Sequence, residues 1–348
     1  METMPNGFAP IDPPAIHVDS ITIRGFKSIA AVENLTLRPI NVLIGANGSG
    51  KSNFVEVFGF LQAFVESRLS EYVNVGGGAE KFLHFGSKQT PALYFRICYS
   101  DGDGDWHTRF VPTVDEDFHC NEVLPHVAFH SRSPWRIFHV HDTSASSPMR
   151  RRCKLDDNAF LRADGANLPA FLYLIQRMHP DSYQMIRKTV QLVAPFFEDF
   201  SLNPLNLAPD DIKLQWRHKG SDQYFDAASL SDGTLRFIAL ATLFLQPKAL
   251  RSSLILVDEP ELGLHPYAIQ LLASMIKQAA TDSQVIVSTQ SPILLDHFAP
   301  EDVLVANRVG HATQIHRLES GPLADWLADY SLGQLWEKNE LGGRPSPE

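Results

Sequence analysis

The spacing of apolar residues along the chain predicts a mixed α/β protein. Apolar and polar residues alternate over 17–23 and 32–37, as in strands with one buried face, and the apolar run 40–44 is typical of a fully buried strand. From Ser52 onward, apolar residues recur every three or four positions, which predicts a helix with one buried stripe. A glycine-rich turn joins that buried strand to this helix.

The period of the pattern changes twice in the middle of the chain. Between about 91 and 141 a period of two predicts an antiparallel β layer, whereas 168–197 returns to helical spacing. Later segments indicate α/β structure again, with a helix from Asp232 and strands over 254–257 and 285–288. We therefore predict a flexible tail (1–15), a first α/β lobe (16–90), a β insertion (91–155), a helical insertion (156–210), a second α/β lobe (211–310) and a C-terminal tail (311–348).

Composition narrows the class of protein. With 44% hydrophobic and 20% charged residues, the chain has the balance of a globular protein. Its longest apolar stretch, 237–245, is too short to cross a bilayer and no signal-peptide pattern opens the sequence, so we expect a cytoplasmic protein with no membrane partner. A formal net charge of −10 disfavours a uniformly basic surface, and the three cysteines form no C-x-x-C pair that would suggest zinc.

The glycine-rich turn has the spacing of a P-loop. Residues 45–52 fit G-x-x-x-x-G-K-S between a buried strand and a helix. Backbone N–H groups of such a loop surround phosphates, Lys51 would bridge the terminal phosphates and the Ser52 hydroxyl would ligate Mg²⁺. The sequence therefore predicts ATP and Mg²⁺ as cofactors. The predicted nucleotide-binding residues of this segment are Gly45, Asn47, Gly48, Ser49, Gly50, Lys51, Ser52 and Asn53.

Two acidic residues follow the apolar strand 254–257. Asp258 would hold the Mg²⁺ and its water shell, and Glu259 would polarise the attacking water. Adjacent side chains on a strand point to opposite faces, so the two carboxylates can serve the metal and the nucleophile separately. Taken alone, the pair would also suit a solvated strand end.

The order of these motifs resembles that of ABC-type ATPases, most closely their SMC, RecF and OLD-like branch. Residues 229–234, Ser-Leu-Ser-Asp-Gly-Thr, resemble the L-S-x-G signature and directly precede an apolar helix. The resemblance implies that Leu230, Ser231 and Gly233 of one subunit cap the γ-phosphate held by the P-loop of another. It also implies an α/β, ABC-type ATPase head with a mixed sheet, an antiparallel β subdomain and an α-helical insertion. Outside this context, the same string is an ordinary helix cap.

Three further segments resemble this branch. Residues 23–28 resemble its opening strand motif, which implies that Lys27 and Ser28 lie near the nucleotide; the alternative is a solvated strand end. Residues 261–266 resemble its D-loop, where His265 would either contact ATP or begin a surface helix. Gln290 stands where most ABC proteins carry a histidine, and because an amide has no titratable charge we expect slow basal hydrolysis.

Other residues leave alternatives open. His139 and His141, expected on one face of a strand, would suit either a metal site without a fixed third ligand or ordinary packing. Gln89 is a candidate for the Q-loop glutamine of the resembled family. The basic cluster 150–154 would suit nucleic acid or a partner, or would simply be solvated.

These predictions lead to a hypothesis of an ATPase switch. ATP would close a homodimer, hydrolysis would open it, and the insertions would relay the change to a separate effector or to nucleic acid. Residues 137–144 and 330–343 resemble parts of bacterial stand-alone ATPases that act in phage defence. The alternatives are a sensor or scaffold that holds ATP with little hydrolysis, and the nucleotide-binding subunit of a transporter, which the long segment between Lys51 and Leu230 disfavours.

Overall fold

The computed structural model describes residues 17–100, 105–124 and 135–342. The predicted tail 1–15 and the end of the second tail, 343–348, lie outside the described residues. Within the described ranges, each helix is too short or too polar to span a membrane.

A six-stranded mixed sheet forms the centre of the molecule, in the order β17-β16-β3-β15-β14-β7. Its neighbours pair in parallel, except that β16 and β17 form an antiparallel hairpin. The strands are β3 (Ile40–Ile44), β7 (Arg136–Phe138), β14 (Leu254–Asp258), β15 (Gln284–Ser288), β16 (Val303–Val309) and β17 (Ala312–Arg317). Their apolar side chains alternate between two separate cores, since Leu256 packs on one face and Val257 on the other.

A five-stranded antiparallel sheet covers one side of α1, in the order β2-β1-β4-β5-β6. It consists of β1 (Val18–Phe26), β2 (Ile29–Thr36), β4 (Leu93–Tyr99), β5 (Trp106–Pro112) and β6 (Phe118–Leu124). The expected antiparallel layer is present, but it is not a separate insertion. Because β1 pairs with both β2 and β4, a boundary at residue 90 would divide a hydrogen-bonded sheet.

Helices occupy both faces of the central sheet. On one face, α1 (Lys51–Val65) and α2 (Leu69–Val75) lie between it and the antiparallel sheet; on the other pack α3 (Leu168–Met178), α4 (Pro180–Val193), α5 (Asp232–Leu245) and α6 (Pro266–Ala279). Helix α5 is buried almost all round, because from Leu235 to Leu245 every residue is below a tenth exposed. The signature-like segment, residues 229–234, leads into this helix. Its position is therefore set by a helix that is buried in the core.

Two predicted segments differ from the structure. The helical insertion continues into short strands that form two small sheets. One contains β10 (Pro204–Leu205), β11 (Ala208–Ile212) and β8 (Cys153–Lys154), in that order; the other contains β13 (Tyr224–Asp226), β12 (Gln215–His218) and β9 (Phe197–Ser201). The described part of the predicted C-terminal tail is ordered: after the short α7 (Pro292–Leu295), it contains β17, α8 (Ser320–Leu327) and α9 (Leu332–Glu337). Strands this short give too few alternations to be detected.

Candidate functional site

The P-loop connects β3 to α1 and lies against residues from both ends of the chain. Gly50 has a left-handed φ of 102°, and a Cβ at this position would collide with the hydroxyls of Ser28 and Thr313. The Thr313 hydroxyl donates to the Ser49 carbonyl at 2.8 Å and lies 2.7 Å from the Ser28 hydroxyl. Asn53 donates its amide to the same Ser28 oxygen at 2.6 Å. Ser28 therefore lies against the P-loop, and its contact with a nucleotide stays a prediction.

Lys51 folds back onto the loop that carries it. Its ammonium donates to the carbonyls of Gly45 at 2.7 Å and Ala46 at 3.0 Å, and the residue is 6% exposed. Burial lowers the pKa of Lys51, while the negative charges of Glu259 and Asp258 act in the opposite direction. The two predicted catalytic acids therefore lie close enough to Lys51 to act on its charge.

Lys27 contacts helix α1 and Phe82, and its contact with a nucleotide stays a prediction. Its ammonium forms an ion pair with Glu56 of α1 and lies 4.8 Å from the centre of the Phe82 ring. Its backbone has a φ of 47° and its N–H donates to the Phe82 carbonyl. Lys27 therefore ties the β1–β2 turn to α1, and Ser28 is the residue of this pair that contacts the P-loop.

The predicted catalytic acids lie at the carboxyl end of β14. Asp258 pairs with Ser288 of β15, and the Glu259 N–H donates to the Ser288 carbonyl at 2.7 Å. Glu259 has a left-handed φ of 39°, an uncommon conformation for a residue other than glycine. Its carboxylate accepts a 2.5 Å hydrogen bond from the Gln290 amide. The structure thus brings together two residues that lie 31 positions apart in the sequence.

Glu261 is buried beside this pair, which sequence analysis did not single out. One carboxylate oxygen accepts hydrogen bonds from the Thr289 hydroxyl and, at 3.3 Å, from the Gln290 N–H. The other oxygen has no partner among the described residues. Burial raises the pKa of Glu261 above its ordinary value, partly offset by these hydrogen bonds.

The signature-like segment ends in an exposed helix start. Ser231 caps α5 by accepting the Thr234 N–H at 3.2 Å, and its side chain remains exposed. The Leu230 side chain is buried in the core, so only its backbone is available to a ligand. Gly233 approaches the next loop closely, because a Cβ there would lie 2.5 Å from the Gly263 carbonyl oxygen.

His265 begins helix α6. Its ring Nδ1 accepts the Tyr267 N–H at 3.3 Å, as expected of a helix-initiating surface residue. Contact between His265 and ATP stays a prediction.

Two arginines that sequence analysis did not assign hold this region together. Arg236 of α5 is 7% exposed and donates to the carbonyls of Val140 at 3.0 Å, His141 at 2.7 Å and Leu262. Arg150, from the basic cluster, donates to the carbonyls of Ala227 and Leu230 and to Asp232 at 2.8 Å. A motif search could not find these bonds, because a backbone carbonyl leaves no mark in the sequence.

The rest of the basic cluster is partly neutralised. Arg152 and Lys154 both pair with Asp211, at 3.4 Å and 2.6 Å. Of the cluster, Arg150 acts as an internal connector for the signature-like segment, which reduces the charge available to nucleic acid.

His139 and His141 lie beside Asp258. They follow β7, which ends at Phe138, so the strand is shorter than expected at this point. His139, Ser52 and Asp258 all line one cavity of about 500 Å³. His139 therefore lies beside Ser52 and Asp258, on the predicted metal side of the P-loop. The assignment of Gln89 as the Q-loop glutamine stays a prediction.

The chain is similar to known proteins in sequence and in structure. A family model described as "AAA domain, putative AbiEii toxin, Type IV TA system" matches residues 40–103 and 122–296. Over 99 residues the chain is 31% identical to urease accessory protein 2 of Cryptococcus neoformans var. grubii. That match covers 27% of this chain and 8% of the curated relative, so the chain spans less than a tenth of that protein's length.

Solved structures of SMC head domains share the fold. One, from Pyrococcus furiosus, has an extended coiled coil and is bound to the C-terminal domain of ScpA; it has a TM-score of 0.64 and 16% identity over 90% of this chain and 99% of that chain. Another SMC head, bound to the C-winged helix domain of ScpA, has a TM-score of 0.63 and 17% identity over 89% and 99%. A head from Pyrococcus yayanosii has a TM-score of 0.60 and 11% identity over 90% and 99%.

Proposed function

Because the chain belongs to this AAA-domain family of P-loop ATPases and has the fold of an SMC head, we propose that it is an ATP-hydrolysing switch. In this proposal two copies close head to tail around ATP, and hydrolysis opens them. The observation that carries it is that four residues lie close together at the P-loop edge of the central sheet: Lys51, Asp258, Glu259 and Gln290.

The residues at this edge suit a nucleotide with Mg²⁺. The Ser52 hydroxyl and the Asp258 carboxylate line the same cavity, and both are oxygen donors of the kind that Mg²⁺ prefers. Bound Mg²⁺ would neutralise charge on the β- and γ-phosphates. The Lys51 ammonium would exchange its bonds to the Gly45 and Ala46 carbonyls for phosphate oxygens.

Glu259 and Gln290 supply the groups for attack by water. Glu259 would accept the proton of the attacking water, and the Gln290 amide that now binds Glu259 would orient the γ-phosphate or the water. An amide does not titrate, so it adds no positive charge as phosphate charge develops. This supports the expectation of slow basal hydrolysis.

The exposed signature-like segment supports a head-to-tail dimer. Ser231 lies at an exposed helix start, where free N–H groups and the helix dipole favour an anion. The Ser231 hydroxyl forms its hydrogen bonds locally, with the hydroxyl and the N–H of Thr234. A second copy could therefore bring this helix start against the γ-phosphate, because these hydrogen bonds of Ser231 stay within its own helical turn.

Mixing two inactive variants tests the dimer. Glu259→Gln keeps the P-loop but removes the proton acceptor, and Ser231→Arg blocks the signature-like segment while leaving the P-loop intact. Each variant alone should be inactive, whereas a mixture should form mixed dimers with one intact site. With random pairing, we expect about a quarter of wild-type phosphate release.

The matched control mixes two variants altered on the same side of the site. Glu259→Gln with Lys51→Ala leaves every P-loop defective, so this mixture should stay inactive. Activity in that control, or none in the first mixture although light scattering detects mixed dimers with ATP, would contradict head-to-tail complementation.

A second function is favoured by Gln290. If the absence of a titratable switch residue makes hydrolysis dispensable, the protein would act as an ATP-bound sensor or scaffold. The Glu259→Gln variant would then retain cellular function, whereas the switch requires it to lose function.

A separate effector protein completes the proposal. Two of the SMC heads with this fold were solved with parts of ScpA bound, and the family description names a toxin–antitoxin system, which supports a cytoplasmic role with a partner, such as phage defence. Affinity purification of wild type and Glu259→Gln with ATP, followed by mass spectrometry, should recover one protein enriched by the variant that holds ATP.

A further inference from the structure

The register of the central sheet places a histidine pair against Asp258. Strands β7 and β14 are parallel with Phe138 opposite Val257, so His139, the residue after β7, lies next to Asp258, the last residue of β14. The nitrogen and oxygen donor atoms of His139, His141 and Asp258 all lie within 4.8 Å of one another. The distance from His141 Nε2 to Asp258 Oδ2 is 4.0 Å.

These distances suit one shared cation. An ion bound about 2.0–2.2 Å from each of two ligand atoms holds those atoms roughly 3–4 Å apart. The His141–Asp258 separation lies in this interval, and the His139 donor lies within 4.8 Å of both.

Residues 139–141 form the histidine segment, and hydrogen bonds with two other parts of the chain fix its backbone. The Arg236 guanidinium binds the carbonyls of Val140 and His141, and the His139 N–H donates to the Ala163 carbonyl at 2.9 Å. Asp258 is held by the ladder between β14 and β15. A set of ligands positioned in advance loses less freedom when it binds an ion.

The types of donor distinguish this cluster from an ordinary magnesium site. Mg²⁺ is held by oxygen ligands and water, whereas imidazole nitrogen suits the first-row transition metals. A histidine must be neutral to bind a metal. A donor set of two imidazoles and one carboxylate therefore suits a transition metal better than Mg²⁺.

We propose that His139, His141 and Asp258 form a binding site for a divalent first-row transition metal ion, such as Co²⁺ or Zn²⁺. The site opens onto the cavity that Ser52 lines and binds the ion without nucleotide, in preference to Mg²⁺. Only the role of this ion in the protein rests on the proposed function, because Asp258 is also the carboxylate proposed to ligate Mg²⁺ beside ATP.

Cobalt binding without nucleotide tests the site. Untagged, metal-depleted protein is titrated with CoCl₂ and followed by visible absorption and calorimetry. We expect one Co²⁺ per chain, with an absorption that a large excess of Mg²⁺ leaves unchanged. The variant with His139→Gln and His141→Gln should bind Co²⁺ at least about tenfold more weakly, because loss of even an outer partner typically costs that much. His316→Gln, which alters an exposed histidine on β17, should bind as wild type does.

Several results would overturn the inference: wild-type protein that binds no Co²⁺, displacement by equimolar Mg²⁺, or a folded double variant with unchanged affinity. Should the double variant fail to fold by circular dichroism, Asp258→Asn replaces it under the same criterion. Nucleotide binding is measured separately with a fluorescent ATP analogue. Cobalt binding without nucleotide binding would support the metal site and contradict the ATPase, and the reverse would overturn the metal site alone.

Discussion

At the scale of single residues, Glu261 is a buried carboxylate with only one of its oxygens hydrogen-bonded among the described residues. It lies next to the predicted catalytic pair, since its bonded oxygen also accepts the Gln290 N–H. The loss of hydration upon folding disfavours its charged form. The site therefore includes a group whose ionisation opposes folding.

Glu261→Gln should increase the free energy of unfolding at pH 7. Burial raises the folded-state pKa of Glu261, so between its ordinary pKa and the raised value the folded protein binds more protons than the unfolded chain. Stability contributed by the neutral acid is present at low pH and lost as pH rises through that window. A neutral glutamine does not lose it, and the variant should approach wild type again under acidic conditions.

Urea denaturation from pH 4 to pH 8 measures this difference. Glu319→Gln alters an exposed glutamate and should follow the wild-type curve throughout. A Glu261→Gln protein that is less stable than wild type at pH 7 would show that the carboxylate is required in its charged form.

At the scale of elements, helix α5 is joined to two loops of the site through one side chain. Arg236 binds carbonyls in the histidine segment and in the segment that resembles a D-loop. Gly233, one turn earlier, allows the same helix to approach Gly263. Movement of α5 would therefore be transmitted to both loops. Arg150 also holds the N-terminus of this helix, through its hydrogen bond to Asp232.

Arg236→Met should lower the free energy of unfolding by about 2–4 kcal/mol, because the apolar chain is kept while three carbonyls lose their donor. Chemical denaturation measures the change. Arg177→Met on α3, where the arginine is exposed, should change stability by no more than about 0.5 kcal/mol. Equal effects of the two substitutions would mean that the Arg236 hydrogen bonds contribute nothing beyond a surface residue.

At the scale of the whole molecule, a cluster of aromatic side chains joins helix α1 to the antiparallel sheet. Phe60 is fully buried, and its ring centre lies 5.1–5.7 Å from five other phenylalanines on or next to the antiparallel sheet. These partners are Phe26, Phe82, Phe95, Phe110 and Phe118. The P-loop helix is thereby packed against the five-stranded antiparallel sheet.

Phe60→Ala should lower the free energy of unfolding by about 3–5 kcal/mol, because it removes a ring from a filled core and leaves a cavity. Thermal and urea unfolding measure the loss. Phe85→Ala, at a site 54% exposed, should cost no more than about 1 kcal/mol. A Phe60 variant as stable as the Phe85 variant would contradict the role of this cluster in joining the layers.

The sequence could predict what depends on neighbours along the chain. The P-loop, its helix and the acidic end of β14 follow from local spacing, and the structure places them together. Pairing between distant segments could not be predicted this way, since alternation shows that β1 is a strand but not that it pairs with β4. The contacts of Thr313 with Ser49, of Arg150 with Ala227 and of Arg236 with Val140 were missed for the same reason, as these partners lie 264, 77 and 96 positions away.

The contact of Thr313 with Ser49 has a consequence for synthesis of the protein. Chains emerge from the ribosome N-terminus first, and the residue that supports the P-loop backbone is made 264 positions after the loop itself. A nascent or truncated chain that ends before Thr313 would carry the P-loop, the signature-like segment and both acids, yet lack this buttress. The P-loop backbone therefore gains its hydrogen bond from Thr313 only after β17, the last strand of the central sheet, has been translated.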